Sequence, residues 1–214
     1  MTDLQGTVMR GSQGGFGNQS PVAVHLNTLG QQVVMDWLQK AVMDGDMYNI
    51  RAGTVTTPFV GDVAITDAAA EMSADVALAT SIIPVHLNIA IRLGTGTLHE
   101  YALKSVATVS SGGDAFVPLN VRSGASASVF TARADAAGGV TVTAELGTTT
   151  PRHWAYSQPI AMGAYNGSSD VQLIPAPVLV GPRSAYVQIA ATGTGPSYYA
   201  SMDVIEYATE LINV

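Results

Sequence analysis

The chain has 214 residues and a mass of 22.1 kDa, and only 12% of its residues are charged, against about 25% in an ordinary soluble domain. Its 9 dispersed basic residues and net charge of -7 exclude a nucleic-acid groove, which needs clustered Lys and Arg to release counterions. The lack of cysteine excludes thiol catalysis, zinc-thiolate sites and iron–sulfur clusters, and apolar runs such as 175–180 are far too short to span a bilayer.

A compact monomer of this mass exposes about 9,000 Å², so each charged side chain would serve roughly 370 Å², twice the usual territory. A chain so poor in charge is expected to hide much of its outside against copies of itself. One domain is long enough here to bury its core without a disulfide or metal staple.

In chain order, residues 1–30 read as an extended arm. Positions 1–21 are rich in Gly, Ser, Gln and Asn, and Asp3 and Arg10 are the arm's only charges. Such a segment is disordered alone, and either a neighbouring subunit or its own domain must hold it. It has no apolar h-region, so no secretory signal is expected and synthesis in the cytoplasm follows.

The remaining residues, 31–214, read as a single domain. A helix is predicted over 31–43, where Val33, Val34, Trp37, Leu38, Ala41 and Val42 share one face and Gly45 supplies the stop. Asp36 and Lys40 on the other side are spaced as an i,i+4 pair. Beyond Met47 the pattern changes to strands. Residues 85–93 alternate strictly, and Gly94-Thr95-Gly96-Thr97 reads as a hairpin turn returning through 98–109. A second hairpin is predicted from 128–134 through 135–139 into 140–146. Near the C-terminus Ala185, Val187 and Ile189 alternate with Tyr186 and Gln188, and a last strand runs over 198–209. Weaker strands are predicted at 48–57, 59–66, 74–83, 115–121, 154–161 and 171–180, the last placed at an edge or bulge by Pro175 and Pro177. Ten or so strands with one helix predict an all-β antiparallel sandwich or jelly-roll barrel.

Little in the sequence points to catalysis. His25, His86, His99 and His153 form no local zinc motif, and His99 and Glu100 point to opposite faces of a strand. Asp44-Gly45-Asp46 lacks the spaced ligands of a calcium loop, Asp62 and Asp67 read as turn residues, and no GxSxG elbow occurs. The glycine-rich stretch 11–17 has no Walker lysine. No catalytic, cofactor or metal residue is therefore assigned, and the chain reads as no enzyme. Candidate interface residues are the aromatics Phe16, Trp37, Trp154, Tyr156 and Tyr165. Trp154 and Tyr156 share a face, as a sugar-binding platform also needs.

The uncharged arm at 1–21, the helix at 31–43, the strands from Met47 onward and the closing pair 184–190 and 198–209 together resemble the single jelly-roll major capsid proteins of icosahedral viruses, particularly tailless DNA phages. The resemblance covers nearly the whole chain at the level of pattern. It implies a self-assembling shell protein of the virion, made as trimers, pentamers or capsomers, with other virion proteins as possible neighbours. It implies no catalysis, no cofactor and no spanned membrane, although an internal membrane fits beneath such a shell. The arm's formal balance of zero, one Asp against one Arg, disfavours genome binding and favours bracing between subunits. The rival readings are a spike, receptor-binding or decoration protein of the same kind of particle, and a carbohydrate-binding β-sandwich module.

Overall fold

A computed structural model describes residues 7–8, 22–23, 37–66, 68–94, 98–134, 139–143, 151–159, 165–193 and 195–208. The chain divides into two compact units, Met1–Lys40 and Ala41–Val214. In the first, β1 (Thr7–Val8) pairs antiparallel with β2 (Val22–Ala23).

The helix α1 (Trp37–Asp44) starts at the described boundary, so residues 31–36 of the predicted helix lie outside the described part. Its end is a full Schellman cap. The Asp46 N–H reaches the Ala41 carbonyl at 2.9 Å and the Gly45 N–H reaches that of Val42 at 3.1 Å, with Gly45 at φ 86°. The helix stop fell where the glycine predicted it. Trp37, expected on the apolar face, is half exposed, and Ala41 is the buried residue of the helix.

The strands that follow are β3 (Met47–Ala52), β4 (Phe59–Val60), β5 (Ala69–Ala70), β6 (Met72–Val76), β7 (Thr80–Gly94), β8 (Leu98–Val106) and β9 (Ser111–Gly112). After these come β10 (Asp114–Phe116), β11 (Leu119–Asn120), β12 (Thr131–Ala134), β13 (Val140–Thr141) and β14 (Arg152–Pro159). The chain closes with β15 (Tyr165–Gln172), β16 (Leu179–Val180), β17 (Arg183–Ala191) and β18 (Ser197–Ala208). Sheet 1 has the order β11-β3-β18-β7-β15, with β4 beside β18 and β16 beside β7. Sheet 2 has the order β10-β12-β6-β17-β8-β14, and sheet 3 is the small ladder β5-β13-β9. All the named strand pairs are antiparallel, and the fold is an all-β sandwich.

The core lies between sheets 1 and 2. Ile50, Leu87, Ile89, Tyr198, Met202 and Val204 enter it from sheet 1, and Met72, Leu103, Val187 and Ile189 from sheet 2. Alternation along β7 and β18 puts these on one face and leaves His86, Asn88, Ser201 and Asp203 on the other. Sheet 2 is different because its second face is covered as well. Val140 and Val142 from the segment of sheet 3 pack with Ala70, Val106 and Tyr186 in a separate cluster. Every residue of β17 from Ser184 to Ala191 is consequently buried.

Both predicted hairpin pairings are wrong. β7 pairs with β18 and β15, whereas β8 pairs with β17 and β14 in the other sheet. Likewise β12 pairs with β10 and β6, while β13 pairs with β5 and β9. The strands on either side of each of these short connections therefore belong to different sheets. The predicted strand 74–83 is also two strands, split at Ala77-Leu78-Ala79, with Ala79 at φ 64°.

Candidate functional site: an aromatic edge and a histidine–carboxylate ladder

Register brings one polar row across the open face of sheet 1. Asn49 on β3 lies opposite Asp203 on β18, Asp203 opposite His86 on β7, and Asp170 on β15 opposite Asn88. Asn49 Nδ2 donates to Asp203 Oδ1 at 2.7 Å. His86 Nδ1 lies 3.2 Å from Asp203 Oδ2 and its Nε2 lies 2.5 Å from Asp170 Oδ1, to which Asn88 Nδ2 also donates at 3.3 Å. The Asn88 hydrogen bond, and then the His86 ring, hold the Asp170 carboxyl below the usual carboxylate range.

The ladder ties β3, β18, β7 and β15 together across the open face of sheet 1. Both ring nitrogens of His86 lie against carboxylate oxygens, one on each neighbouring strand. Among the described residues, no group of three or more His, Asp or Glu side chains is arranged to hold a metal ion.

Three other carboxyls are buried or half-buried and are turned inward onto the chain. Glu71 is 5% exposed, accepts from the backbone N–H of Ile189 at 2.7 Å and of Asp62 at 3.3 Å, and burial pushes its pKa up to about 8. Glu206 accepts from the N–H groups of Val129 and Phe130 at 2.9 and 3.0 Å, and burial raises its pKa above the ordinary value. Asp75 accepts from Ser110 N–H and Oγ, each at 2.8 Å, and from Arg133 Nε at 3.1 Å. Ser73 completes this network through Ser110 Oγ at 2.7 Å. Each carboxyl fixes a loop to a strand.

The aromatic candidates lie in the other sheet, on edge strand β14 of sheet 2. Tyr156 stacks on Tyr101 with ring centroids 5.4 Å apart and planes 6° from parallel, and Trp154 stacks beside Tyr156 at 6.4 Å. Trp154 and Tyr156 do share a face, as predicted, but both are half-buried against the sandwich core. The rings therefore spend part of their faces on the protein itself, which does not suit an open sugar platform. The Nε2 of the neighbouring His153 lies 2.9 Å from Ser105 Oγ, and burial, then the nearby Arg183, pushes the His153 pKa down. Across β14 lies a cavity of about 350 Å³ whose walls include Ile65, Glu100, Lys104, Arg152 and Ser157.

Of the other candidates, Trp37 is exposed on α1, and Phe16 and the side chain of Tyr165 lie outside the described residues. His99 is buried and Glu100 is partly exposed, as expected for side chains on opposite faces. Sequence reasoning missed the ladder because the partners of His86 are 84 and 117 residues away. The signal that could have found it was a His at the polar phase of a strand, with Asp at the polar phase of two others. No protein-family model, curated protein or solved structure matches this chain.

Proposed function

We propose that this chain is a structural protein of a viral shell, a major capsid protein that folds as a jelly roll and self-assembles through low-charge surfaces and its N-terminal arm. The observation that carries this reading is the strand order. Four strands run β3-β18-β7-β15 in sheet 1 and four run β6-β17-β8-β14 in sheet 2. That interleaving supports the double Greek key of a jelly roll, an architecture used by viral capsids, lectins and cupins.

Fold alone does not choose among those functions. Composition favours the shell, since few charges lower the desolvation cost when faces dock, and each unpaired buried ion costs several kcal/mol. Exposed Val60, Leu78, Val117, Val129 and Ile174 supply apolar surface for contacts of the same kind. In this reading the chain acts in the virion as trimers, pentamers or capsomers, and binds neither genome nor cofactor. A decoration or spike protein of the same particle shares these features and differs in copy number. Light scattering and electron microscopy of the purified protein test the proposal. Particles or large multimers are expected, and a clean monomer at high concentration would overturn it.

A further inference from the structure

We propose that β14 is a self-pairing edge, and that two copies of this chain join their β14 strands antiparallel about a two-fold axis at Ala155. The inference rests on the self-assembly reading and names the strand that carries one of its contacts.

The two lateral sides of the sandwich are unequal. On one, the chain passes from sheet 2 into sheet 1 over Asp114–Asn120, so the edge strands β10 and β11 are 3 and 2 residues long. On the other, among the described residues, the sheets end in β14 and β15, each of 8 residues. Folded proteins guard their edges with short strands, charges, prolines or bulges. β15 carries Asp170 in its length and a bulge between Tyr165 and Gly167. β14 keeps its guards at its ends, a bulge between Arg152 and Trp154 and a proline at Pro159. Between them, residues 154–158 hold regular register with β8 and include no charged residue. Ala155 and Ser157 there are small and exposed, which lets another strand approach closely.

The sequence of β14 is complementary to itself in this arrangement. With Ala155 on the axis, Trp154 stands opposite Tyr156 of the partner subunit, and the reverse pair forms on the other side. Aromatic pairs at such directly opposed positions are among the stabilising cross-strand contacts. The second copy then packs beside both half-buried rings. Arg152 lies beyond the bulge at the far end of the paired stretch, so the two guanidinium groups sit at opposite ends and no like charges meet. A two-fold contact of this kind is isologous and closes on itself.

The absence of cysteine makes the test clean. Directly opposed residues of an antiparallel pair have Cα atoms about 4.5–5.5 Å apart, within disulfide reach. Ala155→Cys should therefore oxidise to a covalent dimer. Ser157→Cys, about 13 Å from its own copy across the axis, should not. Ala155→Lys should keep its far-UV circular dichroism and lose the pairing. An Ala155→Cys protein that stays unlinked at assembling concentrations overturns the proposal, as does Ser157→Cys linking equally well or Ala155→Lys assembling like the parent. The two readings fail separately. Particles without the Ala155→Cys link sink the edge and leave the shell, whereas linked dimers that never form particles leave the edge and sink the shell.

Discussion

The Glu71 carboxyl accepts the backbone N–H of Ile189 at 2.7 Å, and so occupies a place beside β17 that a strand would otherwise fill. The main chain of Asp62 continues the same edge, giving its N–H to the Ile189 carbonyl at 3.0 Å and taking that of Ala191 at 3.0 Å. One side chain thus splices a loop into a sheet. Burial holds its pKa near 8, well above the ordinary 4.5.

That splice makes stability depend on pH. A carboxyl whose pKa is raised on folding contributes fully below its unfolded value, and the contribution is lost as pH rises through the folded value. Between about pH 4.5 and pH 8 the unfolding free energy should therefore fall, by up to roughly 1.4 kcal/mol per pH unit from this group. Glu71→Gln keeps an acceptor for Ile189 and cannot ionise, so its denaturation profile over that range should be flatter. Equal slopes in the two proteins would show that Glu71 is not the titrating group.

The polar ladder on sheet 1 should be worth a modest amount, because it is partly open to water. Asp203→Ala removes the acceptor for Asn49 and for one nitrogen of His86, and should cost about 1–2 kcal/mol in urea denaturation. A double-mutant cycle with His86→Ala should show coupling between the two sites. Strict additivity would mean that the contact contributes nothing.

Gly181 is required for its missing side chain. A Cβ there would stand 1.9 Å from the carbonyl oxygen of Ala77 and 2.8 Å from that of Val76, both backbone atoms that cannot rotate away. Gly181→Ala should destabilise by at least about 2 kcal/mol, read from the denaturation midpoint. A midpoint within error of the parent would refute the close approach.

Deleting residues 2–20 should leave the β-sandwich folded by circular dichroism and reduce particle yield. An unchanged yield would remove the bracing role given to the arm.

A glycan array should be blank, since Trp154 and Tyr156 are packed on the core. Specific binding that disappears in Trp154→Ala would promote the carbohydrate-binding reading over the shell.

The strands were legible wherever one face is buried and the other open. Leu87, Ile89 and Ile91 on β7 and Tyr198, Ala200 and Met202 on β18 alternate as a half-buried strand must. Pairing was not legible, because Gly94 and its neighbours look alike whether the chain returns beside itself or crosses to the facing sheet. The turn at Ala77-Leu78-Ala79 carries no glycine, proline or polar signal. It is set from outside, where Gly181 lets the passing backbone lie against Ala77. The candidate site divides the same way. The shared face of Trp154 and Tyr156 follows from strand period alone, but the stack on Tyr101 and the ladder through His86 need residues that only the fold brings together.

The cover over sheet 2 has a practical consequence for anyone altering this protein. Tyr186 and Gln188 sit at the phase of β17 that alternation marks as outward, yet both are at most 2% exposed beneath a second layer of chain. A library randomised at alternate positions should therefore survive on β18, at Tyr199 and Ser201, and should collapse on β17 whichever phase is chosen. Between the two long strands β17 and β18, a peptide grafted for display belongs on β18 of sheet 1.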